Sequence, residues 1–126
     1  MNPPLDGYRI EEGLHRMDWG RVHDWLTSSY WSPGITRESV ERAASNSALV
    51  IGVFGCEHQQ VGYARVISDK TRFAYLCDVW VANEHRSKGL GRALVRYAVE
   101  HPDFVTVKWM LATAPESPST RLRNCS

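Results

Sequence analysis

The sequence predicts an α+β domain on a mixed, mostly antiparallel sheet of about five strands, and three observations carry that prediction. Runs rich in β-branched and aromatic residues at 48–54, 61–68 and 73–81 are separated by turns too short to hold a helix. Leu90, Leu94 and Ala98 then recur at helical spacing, with Ala93 and Tyr97 beside them and Arg92, Arg96 and Glu100 on the opposite side. Beyond that helix Val105, Val107, Trp109 and Leu111 alternate with Thr106, Lys108 and Met110, which gives a fifth strand over 104–111.

Each element in turn has its own boundary signal. Residues 1–7 are a polar, proline-containing lead-in, and a short first strand follows from Tyr8 to Glu11. Asp18 stands where a helix N-cap belongs, and Val22, Trp25 and Leu26 form the apolar side of a helix to about Ser29. Pro33 and Gly34 hold the stretch from Tyr30 to Ile35 as a loop. Thr36 caps a second helix through about Ser45, with Val40, Ala43 and Ala44 facing inward. Turns at 55–59 and 68–71 divide the three-strand meander. His101-Pro102 stops the last helix, because the residue before a proline avoids helical dihedrals.

The length of 126 residues fits one domain. A net charge of +1 argues against broad affinity for nucleic acid or for anionic membrane surfaces. No apolar run is long enough to span a bilayer, and the first residues hold no apolar signal region. Cys56, Cys77 and Cys125 are far apart, and the five histidines are scattered. Neither a disulfide framework nor a metal site is indicated, so no metal is expected. Cys77 reads as a small buried hydrophobe in an apolar strand. The setting this implies is reduced and cytoplasmic.

The chemistry concentrates between the third meander strand and the helix that follows it. Arg86-Ser87-Lys88-Gly89-Leu90-Gly91 leads directly into that helix, with Arg92 in its first turn. A helix start offers backbone N–H groups without internal partners and the positive end of the helix dipole, which together make an anion site. Gly89 and Gly91 let a phosphate approach the backbone, and Arg86, Lys88 and Arg92 add charge. A Gly-Lys-Ser/Thr phosphate loop is absent, and Leu94 stands where the third glycine of G-x-G-x-x-G would be.

What does match is Arg-x-x-Gly-x-Gly after a strand ending Val79-Trp80-Val81. This pattern, and the order of elements over about residues 8–112, resembles the GCN5-related N-acetyltransferases, the GNAT superfamily. The resemblance implies a three-layer acyl-CoA N-acyltransferase fold with helices on both sheet faces and a splayed fourth and fifth strand. It implies acetyl transfer from acetyl-CoA to a primary amine of a small molecule or peptide. The pantetheine arm would then pair with backbone at Val79, Trp80 and Val81, and the diphosphate would reach Ser87, Lys88, Gly89, Leu90, Gly91 and Arg92. A backbone N–H near Val79 would face the thioester oxygen. Asp78 is either the base that takes the amine proton or a structural acceptor. Tyr30 and Trp31, at the head of the loop that lines the acceptor side in the family, either shape the amine site or pack.

The resemblance stops near Thr113. The family continues there into a helix whose tyrosine protonates the leaving thiolate, followed by further strands. Here residues 114–126 contain Pro115 and Pro118 and no aromatic residue, the composition of a disordered tail. The expectation is therefore a domain over 1–113 with its usual C-terminal part lost by truncation or frameshift. A fifth strand left with an open edge would favour a homodimer. The alternative function is an acetyl-CoA-binding remnant with little turnover.

Overall fold

A computed structural model describes residues 7–111. The elements run β1 (Arg9–Glu12), α1 (Trp19–Thr27), α2 (Arg37–Ser45), β2 (Leu49–Phe54), β3 (Gln60–Ser68), β4 (Phe73–Val81), α3 (Leu90–Val99) and β5 (Lys108–Leu111). Both anticipated caps are made. Asp18 accepts from the Arg21 N–H, and Thr36 accepts from the Ser39 N–H, each a contribution of about 1 kcal/mol.

The five strands lie in chain order in one sheet. β1 to β4 pair antiparallel, and β5, reached through α3, pairs parallel to β4. Among the described residues that last pairing runs from Phe73 beside Lys108 to Leu76 beside Leu111. Among the described residues nothing continues β5 alongside Asp78 to Val81.

Two apolar clusters make the three layers. On one face Ile51, Val53, Ala64, Val66, Ala74 and Leu76 meet Leu90, Leu94 and Ala98 of α3, with Phe104 closing the end. On the other, Val50, Phe54 and Tyr63 meet Val22 and Leu26 of α1 and Val40 and Ala44 of α2. The spacings of 3 and 4 residues along each helix put these side chains on one stripe. Trp25 and Trp109 are half-buried against the clusters.

One boundary departs from the sequence reading. The fifth strand does not begin at Phe104. Pro102–Phe104 is a 3-10 turn, capped by the His101 ring accepting from the Asp103 N–H. Phe104 drops into the core under α3, whereas Val105 is 78% exposed. A turn that pins one aromatic residue inside mimics a strand's alternation without being one. The first strand is displaced by one residue, to Arg9–Glu12. The expectations for residues 114–126 lie outside the described residues.

Leu94 is fully buried between α3 and the sheet. Leu94→Ala is expected to cost about 2–5 kcal/mol in urea unfolding. Val105→Ala should stay within about 0.5 kcal/mol of the parent.

Candidate functional site

The site begins with a miscount between β3 and β4. Tyr63 pairs with Trp80, but Arg65 pairs with Cys77, so Ala64 alone stands opposite two residues, Asp78 and Val79. This is a β-bulge, which bends a strand and re-aims its side chains. Before it Ala74 and Leu76 face α3; after it Val79 and Val81 do. The parity of β4 has flipped. Asp78 absorbs the extra residue with φ +56, a left-handed conformation that Asp and Asn tolerate better than other side-chain-bearing residues.

The bulge turns the Asp78 carboxylate toward Arg65. Arg65 Nε donates to Asp78 Oδ2 at 2.6 Å, and the two side chains are only 16% and 12% exposed. Arg65 also donates to Ser47 Oγ at 3.2 Å, just past the end of α2. The other carboxylate oxygen, Oδ1, accepts from Trp31 Nε1 at 2.9 Å. The structural-acceptor role allowed for Asp78 is thus realised, with both oxygens engaged.

Trp31 brings its neighbours with it. Its ring lies 5.0 Å from Tyr30 at 87° and 5.9 Å from Trp80 at 55°. Trp80 in turn carries the Arg86 guanidinium 5.1 Å from its ring centre. An unbroken aromatic row therefore runs from the loop after α1 to the loop before α3. Tyr30 and Trp31 keep 54% and 37% of their surface exposed, so this wall faces solvent.

Backbone geometry supplies the rest. The Ala82 N–H donates to Val61 O. Alternation then turns the Val81 N–H and C=O, and the Val79 C=O, away from β3. Arg86 Nε donates to the Val81 C=O at 2.7 Å. Arg86 is thereby drawn back onto β4, while Lys88 and Arg92 are exposed beside the helix start. Ser87 and Gly89 have φ +68 and +81, and Gly89 is the N-cap of α3. Among the described residues, no protein group accepts from the amides of Gly89, Leu90, Gly91 and Arg92. A methyl group placed on Gly91 meets only Val81 Cγ2, at 4.0 Å, and one on Gly89 meets nothing.

Sequence reasoning missed Arg65 and Ser47. Only the bulge puts Arg65 against Asp78, and no local signal marks a bulge whose extra residue is not glycine. Two buried atoms, Tyr63 Oη and Trp80 Nε1, lack hydrogen-bond partners among the described residues. They belong to directly opposed residues of β3 and β4. Burial, with Asp78 adding to it, pushes the Tyr63 phenol well above its usual value. Among the described residues no group of His, Cys, Asp and Glu is placed to hold a metal ion, and no helix is long and apolar enough to cross a membrane.

An antiparallel meander, a fifth strand joined parallel to it through α3, and helices on both faces make an open α+β sheet fold. The chain belongs to the Acetyltransferase (GNAT) family, whose profile matches residues 10–114. It is 35% identical, at a TM-score of 0.81, to a GNAT-family protein of Xanthomonas campestris pv. campestris, covering 92% of this chain and 81% of that one. A GNAT acetyltransferase of Elizabethkingia anophelis with acetyl-CoA bound shares the fold at TM-score 0.67 and 14% identity, covering 93% and 71%. The spermidine N-acetyltransferase SpeG of Vibrio cholerae, as its N152L mutant, does so at 0.66 and 21%, covering 91% and 74%. No curated protein matches the chain.

Cys77 lies buried in β4 beside this network. Burial, opposed by Arg65 and reinforced by Asp78, pushes its thiol from 9.0 up to about 12. A raised acid favours the native state fully below pH 9 and loses that contribution as pH climbs through about 12. The urea midpoint should therefore fall between pH 9 and 12, and less steeply in Cys77→Ala; equal slopes would refute the assignment.

Proposed function

We propose that the chain transfers an acetyl group from acetyl-CoA to a primary amine of a small molecule or peptide. One observation carries the reading: the start of α3 presents four amides without protein partners among the described residues, beside a glycine that packing does not require. Glycine inside a helix costs up to about 1 kcal/mol relative to alanine. At Gly91 that cost has no return in the folded chain, but it keeps the amides open to a diphosphate.

Acetyl-CoA supplies the acetyl group as a thioester; transfer forms a C–N bond to the amine, breaks the C–S bond and releases coenzyme A as the thiol. The chain's part is placement and proton handling. Gly89 to Arg92 bind the diphosphate through backbone N–H groups, with Lys88 and Arg92 adding charge. The Val79 C=O and Val81 N–H offer an acceptor and a donor to pantetheine amides, as in strand addition. Each Asp78 oxygen accepts one hydrogen bond in the structure and keeps a second lone pair. Through one of these Asp78 takes the proton of the attacking amine, directly or through a water. Membership of the family, the acetyl-CoA-bound neighbour and the spermidine acetyltransferase support this reading without fixing the acceptor.

Gly91→Ala should raise stability by a few tenths to about 1 kcal/mol while weakening acetyl-CoA binding measured by calorimetry. Unchanged binding would remove the diphosphate site. Asp78→Asn keeps an oxygen for Trp31 and lacks the base. It should lower kcat/KM by about 10²–10⁴-fold. A loss below about tenfold would leave Asp78 a purely structural acceptor.

A further inference from the structure

We infer that Tyr8 is a positioning residue for the diphosphate loop: through His85 it holds residues 87–91 in the shape that the diphosphate of acetyl-CoA meets. The inference rests on the acetyl-CoA reading. It adds a residue from the segment that leads into β1, the edge strand of the sheet.

The contact joins distant parts of the chain. Tyr8 Oη lies 2.7 Å from His85 Nδ1, 77 residues on, and the two rings meet edge to face at 89° with centres 5.6 Å apart. The phenol O–H donates when Nδ1 carries no proton. Both residues are half-buried, and Tyr8 packs against the apolar cluster that α3 covers. His85 closes the 3-10 turn Asn83–His85, just after β4 and just before the loop. Its neighbour Arg86 is drawn the other way. Arg86 donates to the Val81 carbonyl and covers Trp80, which alternation with Val79 and Val81 puts on the face away from α3. Successive residues are thus tied to opposite faces of the sheet, and together they fix where the chain leaves β4.

The loop has a shape that must be held. Ser87 and Gly89 have φ +68 and +81. A residue with a side chain keeps a left-handed conformation only where its surroundings impose it. Among the described residues the backbone amides of Ser87 and Lys88 bond to no protein carbonyl. The loop is therefore held from its two ends, by His85 and Arg86 before it and by the buried Leu90 after it. A tether at the entrance sets the fraction of molecules in which Gly89 to Arg92 present their amides to a ligand. Apparent affinity scales with that fraction, so Tyr8 acts on binding without touching the coenzyme.

The test uses the full chain. Calorimetry with acetyl-CoA reports binding, and backbone ¹⁵N relaxation of Ser87 to Gly91 reports the order of the loop in the ligand-free protein. Tyr8→Phe keeps the ring and its edge contact and loses only the hydroxyl. It should weaken acetyl-CoA binding about two- to tenfold, the range of one neutral hydrogen bond, and lower the order parameters of the loop. His85→Leu should do the same, and the double variant should bind no more weakly than either single one. His85→Asn sets an amide oxygen close to the position of Nδ1, accepts from Tyr8 and should bind as the parent does. Tyr8→Phe with parent affinity and parent loop order would overturn the inference while acetyl-CoA binding stands. Losses that add in the double variant would overturn it too, since the two side chains would then act apart. A parent chain that binds no acetyl-CoA, with its loop still loosened by Tyr8→Phe, would sustain the tether and sink the acetyl-transfer reading.

Discussion

The ion pair between Arg65 and Asp78 is the constraint on which the rest of the site depends. It joins two strands that are one residue out of step, fixes the indole of Trp31, and anchors the end of α2 through Ser47. Such a pair adds little net stability, since desolvation offsets attraction. Losing one partner is another matter, because the survivor is left charged and largely out of water. The pair is best understood as a specifier of geometry. With it in place, the loop after α1 is tied to β4 through Trp31.

The loop before α3 and the loop after α1 are then parts of one row. Arg86 covers Trp80 and holds the Val81 carbonyl, while Trp80 touches Trp31. Of the backbone groups that Val79 and Val81 turn away from β3, one carbonyl is occupied by Arg86. Whatever lies along β4 has the remaining groups and must lie against a guanidinium.

Much of this was legible in the residues. β4 ends where its apolar run ends, at Val81, and α3 starts at Leu90, one residue past a left-handed glycine. These segments declare themselves because composition, punctuation and periodicity agree. Asp18 and Thr36 announce their helices for the same reason. The fifth strand was misjudged at its start because Phe104, held by a 3-10 turn, falls into step with the true strand. The network around Asp78 was legible only in part. The carboxylate stood out among apolar neighbours, and Tyr30 and Trp31 stood out beside a proline loop. Their partner Arg65 did not, since pairing across the bulge depends on a register that no single strand encodes.

Position 78 also bears on how related chains vary. A left-handed φ within a strand admits glycine freely and Asn or Asp with modest strain, and it penalises every branched or longer side chain. Lengthening the acid to Glu would both strain that backbone and overshoot the Arg65 guanidinium. The alphabet open to evolution here is therefore about three letters, of which one keeps the charge. Kin that retain an arginine opposite should retain the aspartate, and those that drift to glycine should surrender the arginine and the indole together.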